Sequence, residues 1–293
     1  MTISGIVAYP VTPFAADGTI AHPKLRRVLD RLVSGGADAI APLGSTGESA
    51  YLDFAEWIEV ASATIAHLRG ALPTVAGVSD VTTHGTVRRA RAAEALGASA
   101  IMVLPVSYWK LTDREIRKHL ETVAAAVEIP VMVYNNPATA GVDMAPELLW
   151  ELVREVANIT MVKESTGDIA RMHRLRELSE GTLQFFNGSN PLALQAFHAG
   201  AAGWCTAAPC LIPEQIKEFH RAVLGGEERA AAIFADIREL LDLIVSRGLP
   251  PSVKEGLRLT GLDAGVPRAP LQALTEQESA TLLRSLERAR SAG

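Results

Sequence analysis

Ile6-Val7-Ala8-Tyr9-Pro10-Val11-Thr12-Pro13-Phe14, near the start of the chain, decides between two architectures. The apolar run Ile6–Tyr9 reads as a short strand buried on both faces, as parallel sheets require. The turn that follows it, Pro10 to Phe14, contains no glycine. A doubly wound open sheet more often carries a glycine-rich phosphate loop at this point, so the turn favours a barrel. Outward from this stretch the pattern repeats. Apolar runs follow at Ala39–Leu43, Thr74–Val78, Ala100–Leu104, Val131–Tyr134, Thr160–Lys163, Gln184–Phe186 and Gly203–Ala207. Between them lie helical patterns at Leu25–Ser34, Phe54–Leu68, Val87–Leu96, Asp113–Val127, Pro146–Val156, Ile169–Leu178 and Leu192–Ala199, with Gly35, Gly36, Gly97 and Gly200 at helix stops. Eight strand–helix units in about 225 residues fit an α/β fold of the (β/α)8 type, usually about 250 residues long. Beyond Gly225 no strand candidate remains. Glu227–Ser246, Pro251–Thr260 and Glu276–Ala292 read as helices. The expectation is a barrel over residues 1–225 that carries the site, and an all-helical domain over 226–293.

Composition removes several classes of function. The 293 residues carry a net charge of −5, are 48% hydrophobic and 21% charged, and hold no long block of one charge. Nothing there suggests a nucleic-acid groove or a basic membrane face. No apolar run approaches the roughly 18 residues of a membrane span, and the start lacks a leader pattern. Cys205 and Cys210 have neither redox nor zinc spacing, and the seven histidines are scattered without ligand spacing. His84 in Thr82-Thr83-His84-Gly85 reads as a residue of a helix start. The expectation is a cytoplasmic protein without metal or cofactor.

The 28 basic residues are 22 arginines and six lysines, so each lysine can be placed by context. Lys24, Lys118, Lys217 and Lys254 read as surface residues on amphipathic helices, and Lys110 as a loop residue. Lys163 differs, because it ends the apolar run Ile159-Thr160-Met161-Val162. Burial disfavours a charged ammonium and makes a neutral amine available. Such an amine is the nucleophile for a Schiff base with a carbonyl substrate; the alternative is a snorkelling or salt-bridged strand lysine, with Glu164 as a candidate partner. Tyr134 closes the preceding strand, where its phenol can relay protons or serve as a core aromatic. Gly44-Ser45-Thr46-Gly47-Glu48 follows the second strand. Two hydroxyls between glycines, with backbone N–H groups exposed, suit a carboxylate; the alternative is a plain turn into a helix start.

These elements, in this order, resemble the dihydrodipicolinate synthase / N-acetylneuraminate lyase family of class I lyases. The likeness runs from Gly5-Ile6-Val7 to the helical tail. It is carried by the Gly44–Glu48 loop, by Tyr134-Asn135-x-Pro137, and by Val162-Lys163-Glu164-Ser165-Thr166-Gly167-Asp168. The resemblance implies a TIM barrel with a C-terminal helical domain, a homotetramer built as a dimer of dimers, and a 2-oxo acid substrate such as pyruvate. It implies Lys163 as the imine-forming residue, Tyr134 as proton relay, and Ser45 and Thr46 as hydroxyls on the substrate carboxylate. Gly188 matches the glycine that lets the seventh strand approach substrate, and Cys205 falls where the eighth strand brings backbone near the imine.

Two departures bear on the substrate. Family synthases that condense pyruvate with aspartate semialdehyde carry an arginine two residues after the Tyr-Asn-x-Pro proline; here Thr139 stands there, without the bidentate grip of a guanidinium. They also carry a Tyr-Tyr pair after the fourth-strand proline, where this chain has Pro105-Val106-Ser107-Tyr108-Trp109, with Tyr108 one residue late. The expectation is a Schiff-base lyase of aldol type that is not the lysine-biosynthetic synthase. The alternative is a Schiff-base dehydratase or deaminase acting on a deoxy sugar acid or hydroxy-pyrroline carboxylate. A non-catalytic 2-oxo acid sensor and a metal-dependent aldolase rank behind these.

Overall fold

The computed structural model describes residues 3–291. Met1, Thr2, Ala292 and Gly293, which belong to the expected ranges 1–225 and 226–293, lie outside them. In chain order come β1 (Gly5–Ala8), α1 (His22–Ser34), β2 (Ala39–Ile40) and α2 (Phe54–Leu68). Then follow β3 (Val75–Gly77), α3 (Thr83–Leu96), β4 (Ala100–Val103), α4 (Asp113–Ala124), β5 (Val131–Asn135), α5 (Pro137–Ala140) and α6 (Pro146–Glu155). β6 (Ile159–Glu164), α7 (Ile169–Leu178), β7 (Gln184–Asn187), α8 (Ala193–His198) and β8 (Gly203–Thr206) complete the alternation. The rest is helical: α9 (Pro213–Leu224), α10 (Arg229–Ser246), α11 (Leu249–Leu259) and α12 (Glu276–Ser291). The eight parallel strands and their helices form a (β/α)8 barrel of the TIM type, followed by a helical region.

The chain divides into two compact units. Thr74–Cys205 makes up most of one, and Gly5–Pro73 with Thr206 onward makes up the other. In the first, β3 to β8 pair in sequence order, each parallel to the next. In the second, β1 and β2 pair in parallel, Val7 against Ala39 and Ala8 against Ile40. Every residue of β1, β3, β4 and β5 is buried. Burial on both faces explains why these strands appear in sequence as unbroken apolar runs rather than alternating ones.

The helices form for local reasons. α1 buries Leu25, Val28, Leu29 and Leu32, one stripe at helical spacing. α2 starts at a capping box in which Asp53 accepts from the Glu56 N–H and Glu56 answers the Asp53 N–H, and Thr112 with Glu115 does the same for α4. Gly97, at φ +93°, ends α3 in the left-handed turn that glycine adopts without a Cβ clash. α3 begins at Thr83, four residues before the apolar periodicity does, because the Thr82 hydroxyl caps the Gly85 N–H. His84 thus lies in its first turn. α5 has only four residues, too few to show a period.

Candidate active site

The pairing of β5 with β6 contains one irregularity. Val131 pairs with Ile159, but Met132 pairs with Met161. Thr160 is therefore an extra residue on β6, exposed between buried neighbours, and forms a bulge. Continued without it, the first register would set Val162 opposite Tyr134. With it, the partner of Tyr134 is Lys163. Side chains alternate between faces, so a shift of one residue exchanges which face each presents. The bulge thus sets a lysine instead of a valine at the level of the tyrosine. Lys163 Nζ lies 3.8 Å from the centre of the Tyr134 ring, and each residue is only 5% exposed. Asn136 Nδ2 donates to the Tyr134 hydroxyl at 2.8 Å, which orients the phenol and leaves its O–H able to donate.

Gly188 completes this corner of the site. Its N–H donates to the Glu164 carbonyl at 2.8 Å. A Cβ on Gly188 would overlap Ser165 Oγ and lie 2.6 Å from Lys163 Cε, so the position requires glycine for space. Ser165 Oγ is itself buried and has no hydrogen-bond partner among the described residues. In the sequence Ser165 belongs to the Val162–Asp168 motif. The signal was its spacing: two residues beyond Lys163 along an extended chain returns to the same face. The Ser165 N–H continues the ladder by donating to the Asn135 carbonyl at 3.0 Å.

On the other face of β6, Glu164 is fully buried and holds the strand ends together. Its carboxylate accepts from the Thr166 N–H at 2.7 Å, Asn135 Nδ2 at 3.1 Å and Arg171 Nε at 3.2 Å. Asn135 also donates to Asp143 at 3.0 Å and accepts from the Met144 N–H at 3.0 Å. Arg171 reaches Asp143 at 3.1 Å and also donates to the Met144 carbonyl. Glu164 therefore pairs with Arg171 on α7. A buried carboxylate persists when its lone pairs are met this fully.

Ser45 and Thr46 belong to the other unit, on the loop after β2. Two non-glycine residues with left-handed backbone bracket that loop, Leu43 at φ +62° and Glu48 at φ +60°, a conformation costing about 1–2 kcal/mol each. The Gly47 N–H donates to Gly44 O at 3.1 Å and the Glu48 N–H to Ser45 O at 3.2 Å. Those two backbone donors are engaged inside the loop. Thr12 Oγ1, from the glycine-free opening turn, donates to Gly47 O at 2.7 Å. Ser45 is exposed at the tip, and Thr46 is buried.

Lys254 corrects the sequence reading. It is no surface lysine: it is 1% exposed, on α11, with Nζ 2.6 Å from Glu48 Oε1. Nζ also donates to the Val266 carbonyl at 2.9 Å and lies 4.1 Å from the centre of the Phe14 ring. Burial pulls its ammonium below the usual lysine range, and the Glu48 carboxylate opposes that. Residue spacing along the helix could not reveal it, because the compensating charge lies far away in sequence.

The remaining expected residues are dispersed. Thr139 is exposed on α5. Tyr108 is 93% exposed, its ring edge-to-face with Trp109. Cys205 is buried on β8, and burial pushes the thiol of Cys210 up to about 12. Among the described residues no group of three or more His, Cys, Asp or Glu is arranged to hold a metal ion, and no helix is long and apolar enough to cross a membrane.

A parallel barrel with a buried lysine and a tyrosine side by side at the C-terminal ends of adjacent strands defines a class, the lyases that work through a lysine Schiff base. The chain belongs to the dihydrodipicolinate synthetase family, whose model matches residues 2–289. Members of this family are class I Schiff-base lyases, and this chain is an enzyme of that kind. It is 33% identical over 289 residues to the 4-hydroxy-tetrahydrodipicolinate synthase of Shewanella sp. strain ANA-3, covering 98% of both chains. Among solved structures, a candidate dihydrodipicolinate synthetase from Pseudomonas aeruginosa is 54% identical with a TM-score of 0.97, covering 99% of this chain and 100% of that one. A prophage protein of the same family from Escherichia coli K12, solved in complex with pyruvate, is 25% identical with a TM-score of 0.92 and 99% coverage of both chains.

Proposed function

We propose that Lys163 is the imine-forming residue of a lyase acting on pyruvate or another 2-oxo acid. The observation that carries this reading is the contact between Lys163 Nζ and the Tyr134 ring at 3.8 Å, both groups buried. The amine lone pair attacks the C2 ketone of the substrate, whose carboxylate rests on Ser45 and Thr46. Water leaves, and the iminium accepts the electron pair released when a proton departs from C3. The resulting enamine adds to an aldehyde, and the reverse path cleaves the same bond. Tyr134 carries protons to and from the departing water and C3. Gly188 leaves room for the intermediate, Cys205 contributes backbone beside it, and Thr139 and Tyr108 meet the second substrate. No cofactor is required, because the lysine supplies the electrophilic centre.

The second substrate in this proposal is not aspartate semialdehyde. Thr139 stands in place of the arginine used for that carboxylate, and Arg171, which reaches residues 143 and 144, is engaged by Glu164, Asp143 and Met144. The family likeness also supports a cytoplasmic homotetramer, with the barrel of residues 1–225 carrying the site and 226–293 forming the helical domain. Trapping tests the chemistry: incubation with pyruvate and sodium borohydride should label Lys163, located by peptide mass spectrometry. No label on Lys163 across a panel of 2-oxo acids overturns it. Turnover assays with aspartate semialdehyde, deoxy sugar acids and hydroxy-pyrroline carboxylates decide between synthase, aldolase, dehydratase and deaminase outcomes.

A further inference from the structure

The Gly44–Glu48 loop ends in a buried ion pair that the chemistry above does not use. Glu48 is 1% exposed although its backbone turns through φ +60°. Oε1 meets Lys254 Nζ at 2.6 Å, and Oε2 accepts from the Arg268 N–H at 2.6 Å. Both oxygens are occupied and sealed from solvent, so Glu48 is not a free acid or base. Lys254 is equally constrained, between Glu48, the Val266 carbonyl and the face of Phe14. The opposing cation, the Arg268 guanidinium, stacks 4.2 Å from the same ring and donates to the carbonyls of Gly18 and Tyr51. Every one of these groups lies in the unit that contains Ser45 and Thr46.

Replacing a buried ion pair by apolar side chains of similar volume is often neutral or stabilising, so stability alone does not account for this pair. What apolar side chains would lack is direction. A carboxylate held by a cation on one oxygen and a backbone N–H on the other has one acceptable orientation, so the left-handed corner at Glu48 is fixed in that orientation. Glu48 is three residues from Ser45 and two from Thr46, and its own N–H returns to Ser45 O. We infer that Glu48 and Lys254 are positioning residues, through which α11 holds the Ser45 and Thr46 hydroxyls in the geometry that receives the substrate carboxylate. The inference rests on the carboxylate role proposed above for those two hydroxyls.

The test compares four variants: Lys254→Met, Glu48→Gln, the double variant E48Q/K254M, and Ser45→Ala with Thr46→Val. Steady-state kinetics with pyruvate, borohydride labelling of Lys163 and thermal denaturation are read on each. Lys254→Met leaves a carboxylate buried without its cation and is the variant most prone to misfold. The double variant has no unpaired charge and keeps an acceptor for the Arg268 N–H, so it keeps the test open. The expected result is a KM for pyruvate raised at least tenfold in the double variant, with kcat changed less than threefold. Lys163 should still be labelled at saturating pyruvate, and denaturation should lie near that of the parent. Full recovery of KM along with stability in the double variant would overturn the positioning role and leave a structural pair. An unchanged KM in Ser45→Ala/Thr46→Val overturns the carboxylate reading itself, and the inference with it. A raised KM there beside a normal one in E48Q/K254M overturns the inference alone.

Discussion

Replacing Gly188 by alanine measures how closely the space around Lys163 is filled. The backbone of Gly188 is not in the left-handed region, so alanine meets no conformational penalty there and the effect comes from its methyl group. That methyl would sit 2.6 Å from Lys163 Cε, whereas carbon atoms in ordinary contact are about 3.5–4.0 Å apart. Relief moves Cε by about 1 Å. A misplacement of about 1 Å at a reacting group lowers the rate by about 10²-fold, equivalent to about 2.7 kcal/mol. The methyl also overlaps Ser165 Oγ and sits 3.0 Å from Ser165 Cβ, so Ser165→Ala in the same chain removes one obstacle and should restore part of the loss. The assay is the rate of pyruvate-dependent borohydride labelling followed by intact mass, with circular dichroism to confirm the fold. A G188A enzyme that labels within threefold of the parent rate, with its fold intact, would show that this space is not what glycine supplies.

Tyr134→Phe keeps the ring against Lys163 but removes the O–H, and turnover should fall by about 10²–10⁴-fold while borohydride labelling survives; unchanged turnover would remove Tyr134 from proton transfer. Arg171→Met leaves the buried Glu164 carboxylate without its cation and should cost about 3–5 kcal/mol, a melting shift on the order of 10 °C. Most of that should return in Arg171→Met/Glu164→Leu, and a Tm indifferent to Arg171→Met would refute the account of the network. The pH dependence follows from two histidines. Burial holds the His119 and His220 imidazoles below their ordinary range, with Asp38 opposing at His220. An unfolded imidazole takes up its proton near pH 6.5 while these folded ones stay neutral, so stability is full above that pH and declines as pH falls below it. Tm measured from pH 7.5 to 5.5 should therefore drop less steeply in His119→Gln/His220→Gln than in the parent, and an equal slope would contradict the reasoning.

The strands were legible because each is short, apolar on consecutive positions and bounded by turn residues. α2 and α7 match their sequence ranges end to end, and an aspartate, Asp53 or Asp168, caps the first turn of each. Lys163 stood out because the chain has so few lysines and this one ends an apolar run. Lys254 was misread for the converse reason. In Leu249–Leu259 it has a glutamate beside it and a helical period around it, the usual surroundings of a surface lysine, and only tertiary packing brings Glu48 and Phe14 to it. The Thr160 bulge was hidden as well, since Ile159-Thr160-Met161-Val162 reads as a strand whether or not one residue is left unpaired.

Sequence rules describe the average residue, and the features of greatest functional interest here depart from them. Thr160 interrupts a ladder, Gly188 leaves out a side chain in a packed place, Leu43 and Glu48 turn through backbone that costs non-glycine residues about 1–2 kcal/mol each, and Glu164 and Lys254 bury charge. Each departure is destabilising or neutral when taken alone. Each also acts on a residue of the proposed mechanism: the bulge and Glu164 on Lys163 and Tyr134, the glycine on Lys163, and the two corners with Lys254 on Ser45 and Thr46. A fold optimised only for stability would remove such departures one at a time, because local consistency is what gives a sequence a single native state. Glu180 at φ +49° and the buried Arg89 break the same rules elsewhere in the chain, so such departures support placing the chemistry here because they adjoin Lys163, Tyr134, Ser45 and Thr46, and not by their number.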